Sequence, residues 1–182
     1  MKILLWLLPP AVAGCCLWSC KKNAPYPEIP EIHLQKVEIL SEPDALGGKI
    51  KTARVTFLFA DGDGDLGDMG GNVSKIHYRW MQKMPGGQYE EYLFPSDMPT
   101  ELLIPYDEVM NREEAYNQLL KGTMDATLSV PSGSSAAGVD TVKIELFIVD
   151  RAAHPSNVEI TPDFSLQTDS LVIELGNRQI WE

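Results

Sequence analysis

The sequence predicts an all-β protein, a single antiparallel β-sandwich of about seven strands with one short helix inserted between the fourth and the fifth. Three observations carry that expectation. From Glu31 onward, apolar residues alternate with polar ones at period two. Gly, Pro, Asn or Asp interrupts the alternation about every ten residues, which is the spacing of turns in a sandwich. The chain has 182 residues, 44% of them hydrophobic, enough to fill one core but not several.

The first strand is expected at His33–Leu40 and the second at Ile50–Ala60, where Ala53, Val55, Phe57 and Phe59 face one way and Arg54 and Thr56 the other. The third, Lys75–Lys83, alternates Ile76, Tyr78 and Trp80 against His77, Arg79 and Met81; Pro85-Gly86-Gly87 then turns it into the fourth at Tyr89–Phe94. Asn111 and Glu114 form a helix-capping pair, Ala115, Tyr116, Leu119 and Leu120 share a face, and Gly122 is a stop, so a helix is expected to cover one end of the sandwich. The fifth strand, Thr123–Val130, turns Met124, Ala126, Leu128 and Val130 inward, and the small residues from Pro131 to Gly138 read as a flexible loop. Thr141–Val149 is the sixth strand. The seventh is split into Val158–Ile160 and Leu171–Leu175 by Pro162 and the polar run around Gln167.

Upstream, Lys2, an apolar run from Ile3 to Leu17 broken by Pro9 and Pro10, and then Ser19 and Cys20 have the shape of an export signal. Leu17-Trp18-Ser19-Cys20 resembles the bacterial lipoprotein cleavage box, in which the cysteine is acylated; Val12-Ala13-Gly14-Cys15 is the competing match. Cleavage at Cys15 would strand Cys16-Leu17-Trp18 at the new N-terminus, which favours Cys20. Residues 1–19 then form a signal peptide, 20–32 a Pro-rich tether from lipidated Cys20, and 33–182 the sandwich. An uncleaved membrane helix fits less well, because the proline pair interrupts a run already short of the roughly 20 residues that span a bilayer. Cys15, Cys16 and Cys20 are the only cysteines, so the domain has no disulfide and no cysteine metal site, and burial must hold it together. The prolines of Lys21–Pro30 make an extended tether, which at about 3.1 Å per residue reaches about 30 Å from the lipid.

With 15 Lys+Arg against 26 Asp+Glu the formal charge is −11, and no basic cluster appears. Binding to nucleic acid phosphates, which depends on such clusters, is not expected.

The densest chemistry lies in Asp61-Gly62-Asp63-Gly64-Asp65-Leu66-Gly67-Asp68, four carboxylates in eight residues without a cation among them. Two carboxylates about 5 Å apart repel by roughly 1 kcal/mol in water and about 3 kcal/mol at an effective dielectric near 20. A hard divalent cation is the natural counter-charge: Ca²⁺ takes six to eight oxygens, and glycines let a short loop curl around it. The pattern is not an EF-hand, because Leu66 stands where that motif needs glycine and Asn72 where it needs a bidentate glutamate. The same residues also suit a solvated Gly/Asp turn. In a seven-stranded sandwich the loops after the second and sixth strands lie at one end, so Asp150 and Asn157 are candidates to complete a site with Asp61, Asp63, Asp65 and Asp68. Asp150 suits a salt bridge with Arg151 or a turn-forming role equally well. The first strand also begins at this end, so a bound cation would stiffen the joint between tether and domain.

No enzyme is expected. Phe57-Leu58-Phe59-Ala60-Asp61-Gly62-Asp63-Gly64 echoes the first motif of haloacid-dehalogenase-type phosphotransferases, but Asp65 replaces the threonine that family needs, and a parallel α/β sheet is not read here. His33, His77 and His154 fall on different elements, and no nucleophile elbow appears. Tyr78, Trp80, Tyr89, Tyr92 and Phe94 crowd the third and fourth strands, where they suit either the core or a glycan platform.

The Ser-Cys-Lys-Lys start, Tyr26-Pro27-Glu28-Ile29-Pro30, the Asp61–Asp68 loop and Ile148-Val149-Asp150-Arg151-Ala152 with Ser156-Asn157 together resemble a group of small outer-membrane lipoproteins of Gram-negative bacteria that carry an immunoglobulin-like domain and have no assigned activity. The resemblance implies the fold and an outer-membrane location but no activity. The residues are read as a lipid-anchored envelope binding or assembly module whose partners are the membrane and an envelope protein or glycan; the alternative is a glycan-binding accessory protein that uses the aromatics of the third and fourth strands. Lys21-Lys22-Asn23 lacks the acidic run that some surface-exported lipoproteins carry after the cysteine, which leans toward the periplasmic side.

Overall fold

The computed structural model describes residues 27–43, 46–69, 72–92, 100–104, 119–130 and 140–176. Among them the protein is all-β, with two antiparallel sheets stacked as a sandwich and no helix. The signal peptide, Cys15, Cys20 and most of the tether lie outside the described residues, as do the greater part of the expected helix and Phe94.

The first sheet contains β1 (Glu31–Pro43), β2 (Lys49–Asp61), β8 (Leu120–Ser129) and β12 (Leu171–Glu174), in the order β12-β1-β2-β8. In β2 the alternation holds as read, with Ala53, Val55, Phe57 and Phe59 all buried. β1 departs from strict alternation: Ile32 and Leu34 are buried and then Val37 and Ile39, because a bulge between Leu34 and Lys36 moves the inward phase on by one residue.

The second sheet is built on β5 (Lys75–Lys83) and β9 (Thr141–Val149), flanked by β6 (Tyr89–Glu91), β7 (Glu101–Leu103), β10 (Glu159–Ile160) and β11 (Phe164–Ser165). Between the sheets, Val37, Val55 and Phe57 share one core with Trp80, Ile144 and Leu146, and the Phe164 and Trp80 rings make a T-shaped contact with centroids 5.9 Å apart. Each such side chain contributes about 1.5–3 kcal/mol by leaving water. A small hairpin, β3 (Asp68–Met69) with β4 (Asn72–Val73), stands between β2 and β5.

Three expectations need correction. The residues read as the end of a helix, Leu120–Gly122, begin β8; Gly122 lies opposite Phe59, and a Cβ there would come within 3.2 Å of the Phe59 ring. Its glycine makes room for an aromatic ring rather than ending a helix. The fourth strand is shorter than Tyr89–Phe94, ending at Glu91. The two parts of the seventh strand belong to different sheets, Glu159–Ile160 on β9 and Leu171–Glu174 on β1. Pro162, which has no N–H to donate, interrupts the pairing after Thr161 donates to Ile144; Phe164–Ser165 then pairs with β9 again, and the chain crosses to the first sheet between Leu166 and Leu171.

Candidate metal centre

β2 ends at Asp61, whose side chain folds back over its own loop. Asp61 Oδ2 accepts from the amides of Asp65 at 2.8 Å and Leu66 at 3.1 Å. Gly64 (φ 69°) and Gly67 (φ 112°) supply the left-handed backbone the curl requires. Leu66, fully buried, plugs the loop into the core. This explains a leucine where a calcium loop of the EF-hand type has glycine: the hydrophobic side chain anchors the turn. Ser74 fastens the far side, accepting from Gly67 N at 2.9 Å and donating to the Asp65 carbonyl at 3.3 Å.

The facing turn follows β9. Asp150 is 3% exposed, and its Oδ1 accepts from His154 N at 2.7 Å while Oδ2 lies 3.0 Å from the His154 ring Nδ1. Ala153 sits at φ 69°, a left-handed position closed by its own amide donating to the Asp150 carbonyl. The turn reaches across to the acidic loop: Arg151 Nε donates to the Asp65 carbonyl at 2.6 Å, and Ala152 N donates to Asp65 Oδ2 at 3.0 Å.

These contacts gather Asp61, Asp65 and Asp150 so that one oxygen from each lies within 4.8 Å of the others. Asp61 is fully buried, yet its Oδ1 has no hydrogen-bond partner, and the Oδ1 atoms of Asp63 and Asp65 are likewise buried without one. Asp61 and Asp65 thus each spend one oxygen on holding the loops and keep the other unsatisfied. Burial, the adjoining Asp63 carboxyl and the charges of Asp63 and Asp65 push the Asp61 carboxyl up to about 8. Burial and the Asp150 charge also raise Asp65.

No protein-family model, no curated protein and no solved structure matches the chain. The site is therefore defined by its own geometry. Of the residues singled out from the sequence, Asp61, Asp65 and Asp150 converge, and Asp63 adjoins Asp61. Asp68 opens β3, with its side chain outside the described residues. Asn157 is placed elsewhere, its amide bracketing the backbone of Ile32 at 2.8 Å on both N–H and C=O. Asp150 takes the turn-forming role with His154, and Arg151 turns to the acidic loop instead.

Sequence reasoning did not find Ser74, Leu66, Ala152 or His154 as parts of this pole. Only His154 carried a signal, standing four residues after Asp150. The aromatics separate: Tyr78 and Trp80 are buried in the core, Tyr92 packs against it, and Tyr89 lies under Lys143 Nζ at 4.0 Å and bonds to Asp163.

Proposed function

We propose that the chain is a non-enzymatic, lipid-anchored module of the cell envelope, an immunoglobulin-like β-sandwich whose acidic pole holds a structural Ca²⁺. The observation that carries the metal is the convergence of Asp61, Asp65 and Asp150 on one point, with a fully buried Asp61 Oδ1 left without a partner. A buried carboxylate oxygen in this state needs a proton or a cation. The donors are oxygens alone, which suits a hard ion rather than zinc, and their separation does not exceed the width of one Ca²⁺ shell, about twice a bond of 2.4 Å. Asp63 and water would complete six to eight ligands.

The immunoglobulin-like reading is supported by the pairing of β1 and β2 with β8 in one sheet and of β5 with β9 in the other. The lipid anchor at Cys20 rests on the sequence of the leader, the outer-membrane location on the resemblance to small lipoproteins, and its periplasmic side on Lys21-Lys22-Asn23.

The test is calorimetric titration of the metal-depleted protein with calcium chloride. Uptake of one ion per chain at millimolar or lower concentration, with a higher melting temperature than in chelator, is expected. No heat and equal melting temperatures would overturn the metal site. Removal of the Asp63 carboxyl separates this reading from an enzymatic one: a structural site loses stability, a catalytic one only turnover.

A further inference from the structure

The chain enters the sandwich through the metal pole. Before β1, Pro27, Glu28 and Ile29 are exposed and Pro30 is buried. This leading segment is gripped from two sides. Gly62, between Asp61 and Asp63, donates its amide to the Pro27 carbonyl at 3.0 Å. From the loop after β9, Asn157 Oδ1 accepts from Ile32 N and its Nδ2 donates to Ile32 O, both at 2.8 Å. β12 pairs with the edge of β1 over Lys36–Ile39 and the Leu175 amide extends this cover to the Gln35 carbonyl, so at Ile32 the Asn157 side chain stands in for the missing strand.

The two loops that grip the segment are the same two that carry the carboxylates. Asp61, Asp63 and Asp65 lie on one and Asp150 on the other, and Asp65 and Asp150 repel across the gap between the loops when no cation stands there. Resting on the calcium reading, and on the fully buried Asp61 oxygen that supports it, we propose that occupancy of this site latches Pro27–Ile32 to the pole of the domain. With the ion bound, the loops close and the leading segment leaves the sandwich in one direction; with the ion removed, the loops part and the segment is released. The domain's orientation on whatever precedes Pro27 would then depend on calcium. Linkage makes the effect reciprocal: an undocked segment must weaken calcium by the factor by which calcium strengthens docking.

Amide hydrogen exchange of the full chain, with calcium and with chelator, tests this. Gly62 and Ile32, whose N–H groups make the two grips, are expected to exchange about tenfold faster in chelator, while Val55 and Ile144 in the core stay unchanged. Calcium uptake by calorimetry with equal Gly62 and Ile32 protection overturns the latch and leaves the metal site standing; absence of uptake overturns both. A second arm uses Asn157→Ala. Calcium affinity and Gly62 protection falling together, by about the same factor, support the latch. Affinity falling with Gly62 protection intact would make Asn157 a ligand and overturn it, as would no change in either.

Discussion

Asp65 accepts the Ala152 amide at 3.0 Å through Oδ2, tying together residues 87 positions apart. That bond and the Arg151 bond to the Asp65 carbonyl close the acidic loop against the turn after β9, leaving carboxylate oxygens facing one another rather than water. The loops are held by backbone and side-chain hydrogen bonds, while their charges oppose the same closure. A bound cation would remove that conflict.

Asp61→Asn should separate scaffold from charge. The amide oxygen can still accept from Asp65 and Leu66, so the loop keeps its shape, but the buried negative charge is gone. The expected outcome is loss of the calcium-induced rise in melting temperature, with the metal-free variant at about pH 8 as stable as the parent or more so. Differential scanning calorimetry checks both; a variant that keeps the calcium shift would remove Asp61 from the site.

In chelator, stability should fall as pH rises. The folded protein holds the Asp61 proton up to about 8, whereas the unfolded chain releases it near the ordinary value of 3.8. Between those values the native state binds more protons than the unfolded one, so unfolding becomes easier toward the alkaline end. Asp65, raised in the same direction, adds to the trend. Urea midpoints at several pH values should show this slope without metal and lose it in excess calcium.

Ser74→Ala removes a buried hydroxyl that accepts from Gly67 and donates to Asp65. The Gly67 amide is left without this partner at a cost of about 1–3 kcal/mol. A lowered urea midpoint, with weaker calcium uptake because Asp65 loses its brace, is expected; an unchanged midpoint would show that the loop does not depend on this contact.

Trp80→Ala probes the sandwich itself. Trp80 is fully buried between the sheets with Phe164 in a T-shaped contact, and truncation should destabilise by about 3–5 kcal/mol. Chemical denaturation gives the number. A loss under about 1 kcal/mol would mean the sheets do not share this core.

The anchor is tested by labelling cells with a palmitate analogue. Cys20→Ser should abolish incorporation and Cys15→Ser should leave it; the reverse result would move the lipid to Cys15.

The sequence by itself determined the long strands at the centre of each sheet and their inward faces, because burial of one face of a strand writes itself as period two: Ala53, Val55, Phe57 and Phe59 are buried as their spacing requires. It also located the acidic loop and the end of the sandwich where Asp150 joins it. Tertiary structure alone decided what each edge and each oxygen meets. Periodicity does not say which sheet has a vacant edge, so the crossing between Ile160 and Leu171 was not legible, nor was the role of Gly122, since a glycine that ends a helix and one that admits an aromatic ring look alike in sequence. The partners of Asn157 and Arg151 were hidden for the same reason: a polar side chain at a loop bonds to whichever backbone group folding leaves unpaired, and that group belongs to a segment distant in the chain.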